Sequence, residues 1–128
     1  MLTQYTQAAM VAENRRLASP ASVDSLPTSA MQEDHVSMGW AAARKLRASL
    51  DNLAGILGVE LAASARALEL RAPLEPARAT AAALAAVRRT VPGFGEDRWL
   101  SPELAAAKDL VTSGAVLDAV AAEMGELR

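Results

Sequence analysis

From Val36 to Leu70 the chain runs 35 residues without a proline, and residues that favour helix predominate. Within it Leu46, Leu50, Leu53, Leu57, Leu61, Ser64 and Leu68 follow one another at steps of four or three. That spacing lays one stripe along a helix. A helix of this length extends about 50 Å. A compact chain of this size has a diameter near 35 Å, on the order of twice its radius of gyration with allowance for the surface. The spacing therefore predicts an unbroken rod that outreaches its own globule. Leucines on the overhang would form an apolar strip that something outside the chain must cover. Gly55 and Gly58 each weaken a helix interior by about 1 kcal/mol relative to alanine. Keeping both predicts close approach by a neighbouring helix.

The remaining segments also read as helical, and no useful stretch alternates polar and apolar residues as a strand would. The first helix is expected over 1–18, from Leu2 to Leu17, with Glu13 placed to pair with Arg16 and Pro20 ending it. Residues 19–35 follow as a loop rich in serine, threonine and proline. Because it carries Val23, Leu26 and Met31, it is expected to be ordered. Over 75–124 shorter helices are expected. Glu75 and Pro76 open one that ends near Arg88, Arg89 and Thr90. Val91 to Leu100 is a loop anchored by Phe94 and Trp99. Ser101 caps a helix reaching about Thr112, and Ala115 to Met124 form the last. The fold class is all-α, a long central helix in an elongated bundle with shorter C-terminal helices.

Composition narrows the function classes. Thirteen basic residues against fifteen acidic ones leave a formal charge of -2, without the excess that binding nucleic acid requires. No cysteine is present, which excludes disulfides, thiol nucleophiles and thiolate metal sites. The longest uncharged stretch, Met1 to Ala12, is too short and too polar to span a bilayer. No basic residue precedes it, so a secretory signal is not expected, and a cytoplasmic protein is.

One segment gathers polar chemistry: Gln32, Glu33, Asp34 and His35, at the junction of the loop and the long helix. Two carboxylates and an imidazole can move protons if held beside an amine or hydroxyl. Equally, Asp34 can be a helix cap and His35 an ordinary helix residue. Residue type leaves both readings open. Metal binding is disfavoured, because adjacent helical positions diverge and no second histidine exists. The lone Tyr5 reads as an anchored helix residue. Ser19, Ser22, Ser25 and Ser29 offer hydroxyls without a histidine in a nucleophile setting. Gly93-Phe94-Gly95 is a turn rather than a phosphate loop, and Arg88 and Arg89 read as a solvated helix end.

The run Glu13-Asn14-Arg15-Arg16-Leu17-Ala18, followed by PASVDSLPTSAMQEDHVSMG from Pro20 to Gly39, resembles the C-terminal region of the histidine and aromatic amino-acid ammonia-lyases, a family that includes 2,3-aminomutases. The stretch LGVELAASARALELRAPL, from Leu57 to Leu74, extends the match, and all 128 residues can be placed on roughly the last quarter of such an enzyme. The resemblance implies long helices bundled in a homotetramer, with each active site assembled from three subunits. It implies an electrophilic 4-methylidene-imidazol-5-one formed from an Ala-Ser-Gly triad, and removal of ammonia from an aromatic L-amino acid to give an aryl acrylate. Aminomutases add the ammonia back at the β-carbon. By the same resemblance Gln32 and Glu33 lie beside the prosthetic group and substrate, Glu33 contacting the amine or imidazole. Asp34 and His35 support them at the helix start. No Ala-Ser-Gly occurs in this sequence, and the nearest string is Thr112-Ser113-Gly114. Tyr5 does not match the family's basic tyrosine. Met31 stands where histidine-specific members commonly have asparagine or glycine, and Trp40 is a bulky residue just beyond. Both leave tyrosine and phenylalanine open as substrates. The resemblance thus implies the C-terminal part of a lyase or aminomutase, inactive by itself. A stand-alone helical oligomerisation module is the other reading.

Overall fold

The computed structural model describes residues 2–93 and 95–125. Among them are five α-helices and no strand: α1 (Leu2–Leu17), α2 (Gly39–Glu69), α3 (Arg78–Arg88), α4 (Ser101–Ser113) and α5 (Ala115–Met124), with a 3-10 turn at Ala21–Val23. The chain divides into two compact units, Met1–Leu53 and Ala54–Arg128. No helix among the described residues is long and apolar enough to cross a membrane.

The expected rod is one helix. α2 runs 31 residues without a break, roughly 46 Å at the standard rise. It starts at Gly39, three residues after the expected start. Ahead of it Ser37 Oγ accepts the Gly39 N–H at 3.3 Å. Asp34 therefore stands five residues before the helix and does not cap it, so the capping role expected for Asp34 and His35 is not seen.

In the first unit the end of α1 is tied to α2. The Asn14 side chain bridges them, donating from Nδ2 to the Ser49 carbonyl at 3.2 Å and accepting at Oδ1 from Asn52 Nδ2 at 3.0 Å. No residue from Leu2 to Leu53 is buried. Leu46 and Leu50 are 61% and 56% exposed, and Leu53 is also open to solvent.

The second unit has a core of Ala65, Val87, Val91, Ala107 and Leu110, with Leu61, Leu84 and Val116 packed around it. Here α2 buries its small residues most completely, Ala54, Gly58, Val59 and Ala65, with Leu61 of the leucine stripe packed beside them. A Cβ on Gly58 would lie 2.8 Å from the Lys108 backbone nitrogen, so α4 approaches as closely as the glycine predicts. α5 packs on α3 and α4, and Arg78 at the start of α3 pairs with Glu123 near the end of α5 at 2.7 Å. Gly114, at φ 76, makes the joint between α4 and α5 in the left-handed region that glycine tolerates. The Thr112-Ser113-Gly114 string is thus a helix end.

Local details differ from the sequence reading. α3 starts at Arg78 because Ala77 is extended (φ -59, ψ 156), leaving Pro76 outside the helix. Leu100, not Ser101, precedes the first turn of α4, since its carbonyl accepts the Leu104 N–H at 3.0 Å. Arg88 is no solvated end. Its guanidinium holds Glu69 at 2.5 and 2.8 Å and donates to the carbonyls of Val91 and Pro92. Trp99, 80% exposed, does not anchor the loop after α3. Buried Val91 does, helped by Arg98, which binds the Gly93 carbonyl and Glu103. Phe94, the other expected anchor, lies outside the described residues.

Candidate active site

The loop between α1 and α2 belongs wholly to the first unit and is ordered by hydrogen bonds. Lys45 on α2 donates to the Ser19 carbonyl at its start. Thr28 and Glu33 exchange both backbone bonds, Thr28 N–H to Glu33 O at 2.9 Å and Glu33 N–H to Thr28 O at 3.2 Å. This is the pairing of two opposed residues in an antiparallel ladder. Three residues further out on each side, where such a ladder has no backbone–backbone bonds, the tie is a side chain. There the Ser25 hydroxyl donates to Val36 O at 3.0 Å and accepts from Val36 N–H at 2.9 Å. The two pairs share one register. Asp24 Oδ1 accepts the Ser25 N–H at 2.8 Å.

Between Thr28 and Glu33 the chain turns in the left-handed sense. Ser29, Ala30 and Met31 have φ of 52, 53 and 70, and Gln32 N–H closes the turn on Ser29 O at 3.2 Å. Left-handed backbone costs about 1–2 kcal/mol per residue with a side chain. Such strain persists where surrounding contacts over-determine the conformation, and it clusters at functional sites. The hydrogen bonds from Thr28, Ser25 and Asp24 are those contacts. Met31 is 78% exposed, so its side chain packs on nothing that would explain the conformation. Glycine and asparagine adopt φ > 0 more readily than methionine.

The turn brings together two of the sequence-predicted residues. Gln32 closes it and Glu33 forms its base, and both side chains are exposed. Asp34 and His35 follow on the returning arm, also exposed. An ionised carboxylate accepts hydrogen bonds only, which suits an ammonium, whereas the Gln32 amide can donate and accept at once. Tyr5 is exposed on α1. Among the described residues no three histidines, aspartates or glutamates are grouped to hold a metal ion. Ser25, one of four loop hydroxyls in the sequence reading, is the one that bridges to Val36, and nothing in its sequence neighbourhood marks that reach.

The chain as a whole has known counterparts. A family model described as aromatic amino acid lyase matches residues 1–89, and the chain belongs to that family. It is 56% identical over 128 residues to histidine ammonia-lyase from Streptomyces avermitilis, covering 99% of this chain and 25% of that protein. It is 50% identical over 127 residues to histidine ammonia-lyase from Symbiobacterium thermophilum, again covering 99% and 25%. Among solved structures, tyrosine aminomutase from Streptomyces globisporus superposes with a TM-score of 0.89 at 38% identity, covering 97% of this chain and 24% of that one. Histidine ammonia-lyase from Trypanosoma cruzi gives 0.86 at 37% identity, with 94% and 24% covered. The chain spans about a quarter of the length of the relatives it matches.

Proposed function

We propose that this chain is the C-terminal part of an aromatic L-amino-acid ammonia-lyase, with histidine as the favoured substrate. Tyrosine, phenylalanine and an aminomutase outcome are the alternatives. The observation that carries the reading is the Gln32–Glu33 pair, held out by a strained turn in a chain that is 56% identical to a histidine ammonia-lyase. The relatives at 56% and 50% identity are histidine ammonia-lyases, which supports histidine. In this reading Glu33 binds the substrate's ammonium or imidazole and takes its proton, and Gln32 orients the group it faces. Asp34 and His35 support the returning arm. The sequence holds no Ala-Ser-Gly, so the chain does not itself form a methylidene-imidazolone. An exposed amide beside an exposed carboxylate fits one polar wall next to such a group. When bound in the parent enzyme, that group supplies the electrophile for the elimination.

The isolated chain is then inactive, and the exposed leucines of α2 are covered in a homo-oligomer, a tetramer in the parent. A cytoplasmic location belongs to the same reading. Incubating the chain with histidine, tyrosine and phenylalanine should give no acrylate absorbance, and clear turnover would overturn the proposal. In the longer protein that includes this chain, Glu33→Gln should lower kcat on histidine by about 100-fold. The open leucines also suit a free-standing oligomerisation module. Self-association at several concentrations, with no in-frame Ala-Ser-Gly upstream, would favour that second reading.

A further inference from the structure

We propose that Ser25 is the positioning residue of this site: its hydroxyl clasps the two arms of the loop and so fixes how Gln32 and Glu33 are presented. The inference deepens the function proposed above and rests on it for the meaning of the pair, but its geometry stands apart. One oxygen both donates to Val36 O at 3.0 Å and accepts from Val36 N–H at 2.9 Å, using up donor and acceptor on a single partner residue. Counted from the Thr28–Glu33 pair, Ser25 and Val36 fall where an antiparallel ladder has no backbone–backbone bonds, so the hydroxyl supplies the tie at that step. Ser25 is half-buried, while Ser22 and Ser29 on the same loop are exposed. Its own N–H is taken by Asp24 Oδ1 at 2.8 Å, which holds the side of the loop from which the hydroxyl reaches.

The clasp matters because the turn it encloses does not hold itself cheaply. Ser29, Ala30 and Met31 are in the left-handed region, and only the Thr28–Glu33 pair and the Gln32–Ser29 bond close them from within. Bringing the ends of the loop together in advance removes part of the entropy that this strained closure would otherwise have to overcome. Without the clasp the turn relaxes toward ordinary backbone, and the carboxylate and amide lose their fixed spacing.

Amide hydrogen exchange on the full 128-residue chain tests the clasp without reference to turnover. Ser25→Ala should speed exchange by about tenfold at Val36 and, by release of the turn, at Thr28 and Glu33. Amides of α3 should be unchanged. Ser25→Thr, which keeps the hydroxyl, should restore the wild-type rates. If Thr28 and Glu33 exchange at wild-type rates in Ser25→Ala, or if Ser25→Thr fails to rescue them, the proposal is overturned. In the longer protein Ser25→Ala should lower kcat more than it raises KM, with rescue by Ser25→Thr; an unchanged kcat would reject the positioning role. A parent without lyase activity would sink the proposed function yet leave the exchange result to decide the clasp.

Discussion

The two units of this chain are built by opposite means. From Leu2 to Leu53 nothing is buried, and shape comes from polar contacts: Asn14 to Ser49 and Asn52, Lys45 to Ser19, Ser25 to Val36, Thr28 to Glu33. From Ala54 onward Val87 is 1% exposed and Ala107 0%, inside a closed apolar cluster. A hydrogen bond exchanged against water adds only about 0.5–1.5 kcal/mol, whereas burial of a large aliphatic side chain adds about 1.5–3 kcal/mol. The first unit therefore has a defined geometry with little stability of its own, and the second has the reverse emphasis. The Gln-Glu turn sits in the unit with least burial, so its strain is held by hydrogen bonds alone.

Substitutions can break that contrast. Leu110→Ala, in the second core, should cost about 2–4 kcal/mol in denaturant unfolding. Leu50→Ala in the first unit should change it by less than about 0.5 kcal/mol in a dilute sample. Equal losses at the two sites would erase the distinction. Gly58→Ala places its methyl against the Lys108 backbone, which cannot swing aside as a side chain would, and should cost about 1–3 kcal/mol in the same assay. Asn14→Ala removes its two ties to α2 and should lose about 1 kcal/mol, read as faster amide exchange confined to α1. Met31→Asn should instead stabilise the turn by less than about 1 kcal/mol, seen as slower exchange at the Glu33 amide.

The smallest effect is electrostatic. The hydrogen bond from Arg16 holds the Glu13 carboxyl below its ordinary range. A lowered folded value means the pair supports α1 above that range and is lost as pH falls through the lowered one. Both side chains are open to solvent, so the signal is slight. Helicity of α1, followed by circular dichroism, should fall a little on acidification, and Glu13→Gln should remove that part of the pH dependence.

Periodicity made the helices legible. Both ends of α1 and of α5 fall where the sequence puts them, and α2 differs by three residues at its start and one at its end. The close approach at Gly58 was also readable, because glycine inside a helix needs a reason. What the pattern concealed is which face of α2 packs. The leucines draw the eye, yet the fully buried positions are alanine, glycine and valine, with Leu61 packing beside them, and at Gly58 α4 comes too near for a side chain. Contacts between distant residues were invisible for the same reason. Glu69 lies 19 positions from Arg88, and neither sequence neighbourhood names the other. At the site, the Gln-Glu pair was legible by residue type and resemblance. The left-handed turn was not, because Ser29-Ala30-Met31 contains none of the residues that signal it.

The asparagine bridge sets more than the strength of a helix pair. An oily seam can slide by a notch and lose little. An amide engaged at both its carbonyl and amino ends has a single docking, since any slip along or around α2 leaves both ends unmatched. Asn14 thereby acts as an index mark for α1. The point at which the chain leaves that helix, and with it the starting line of the whole polar loop, is dictated by two carboxamides rather than by grease.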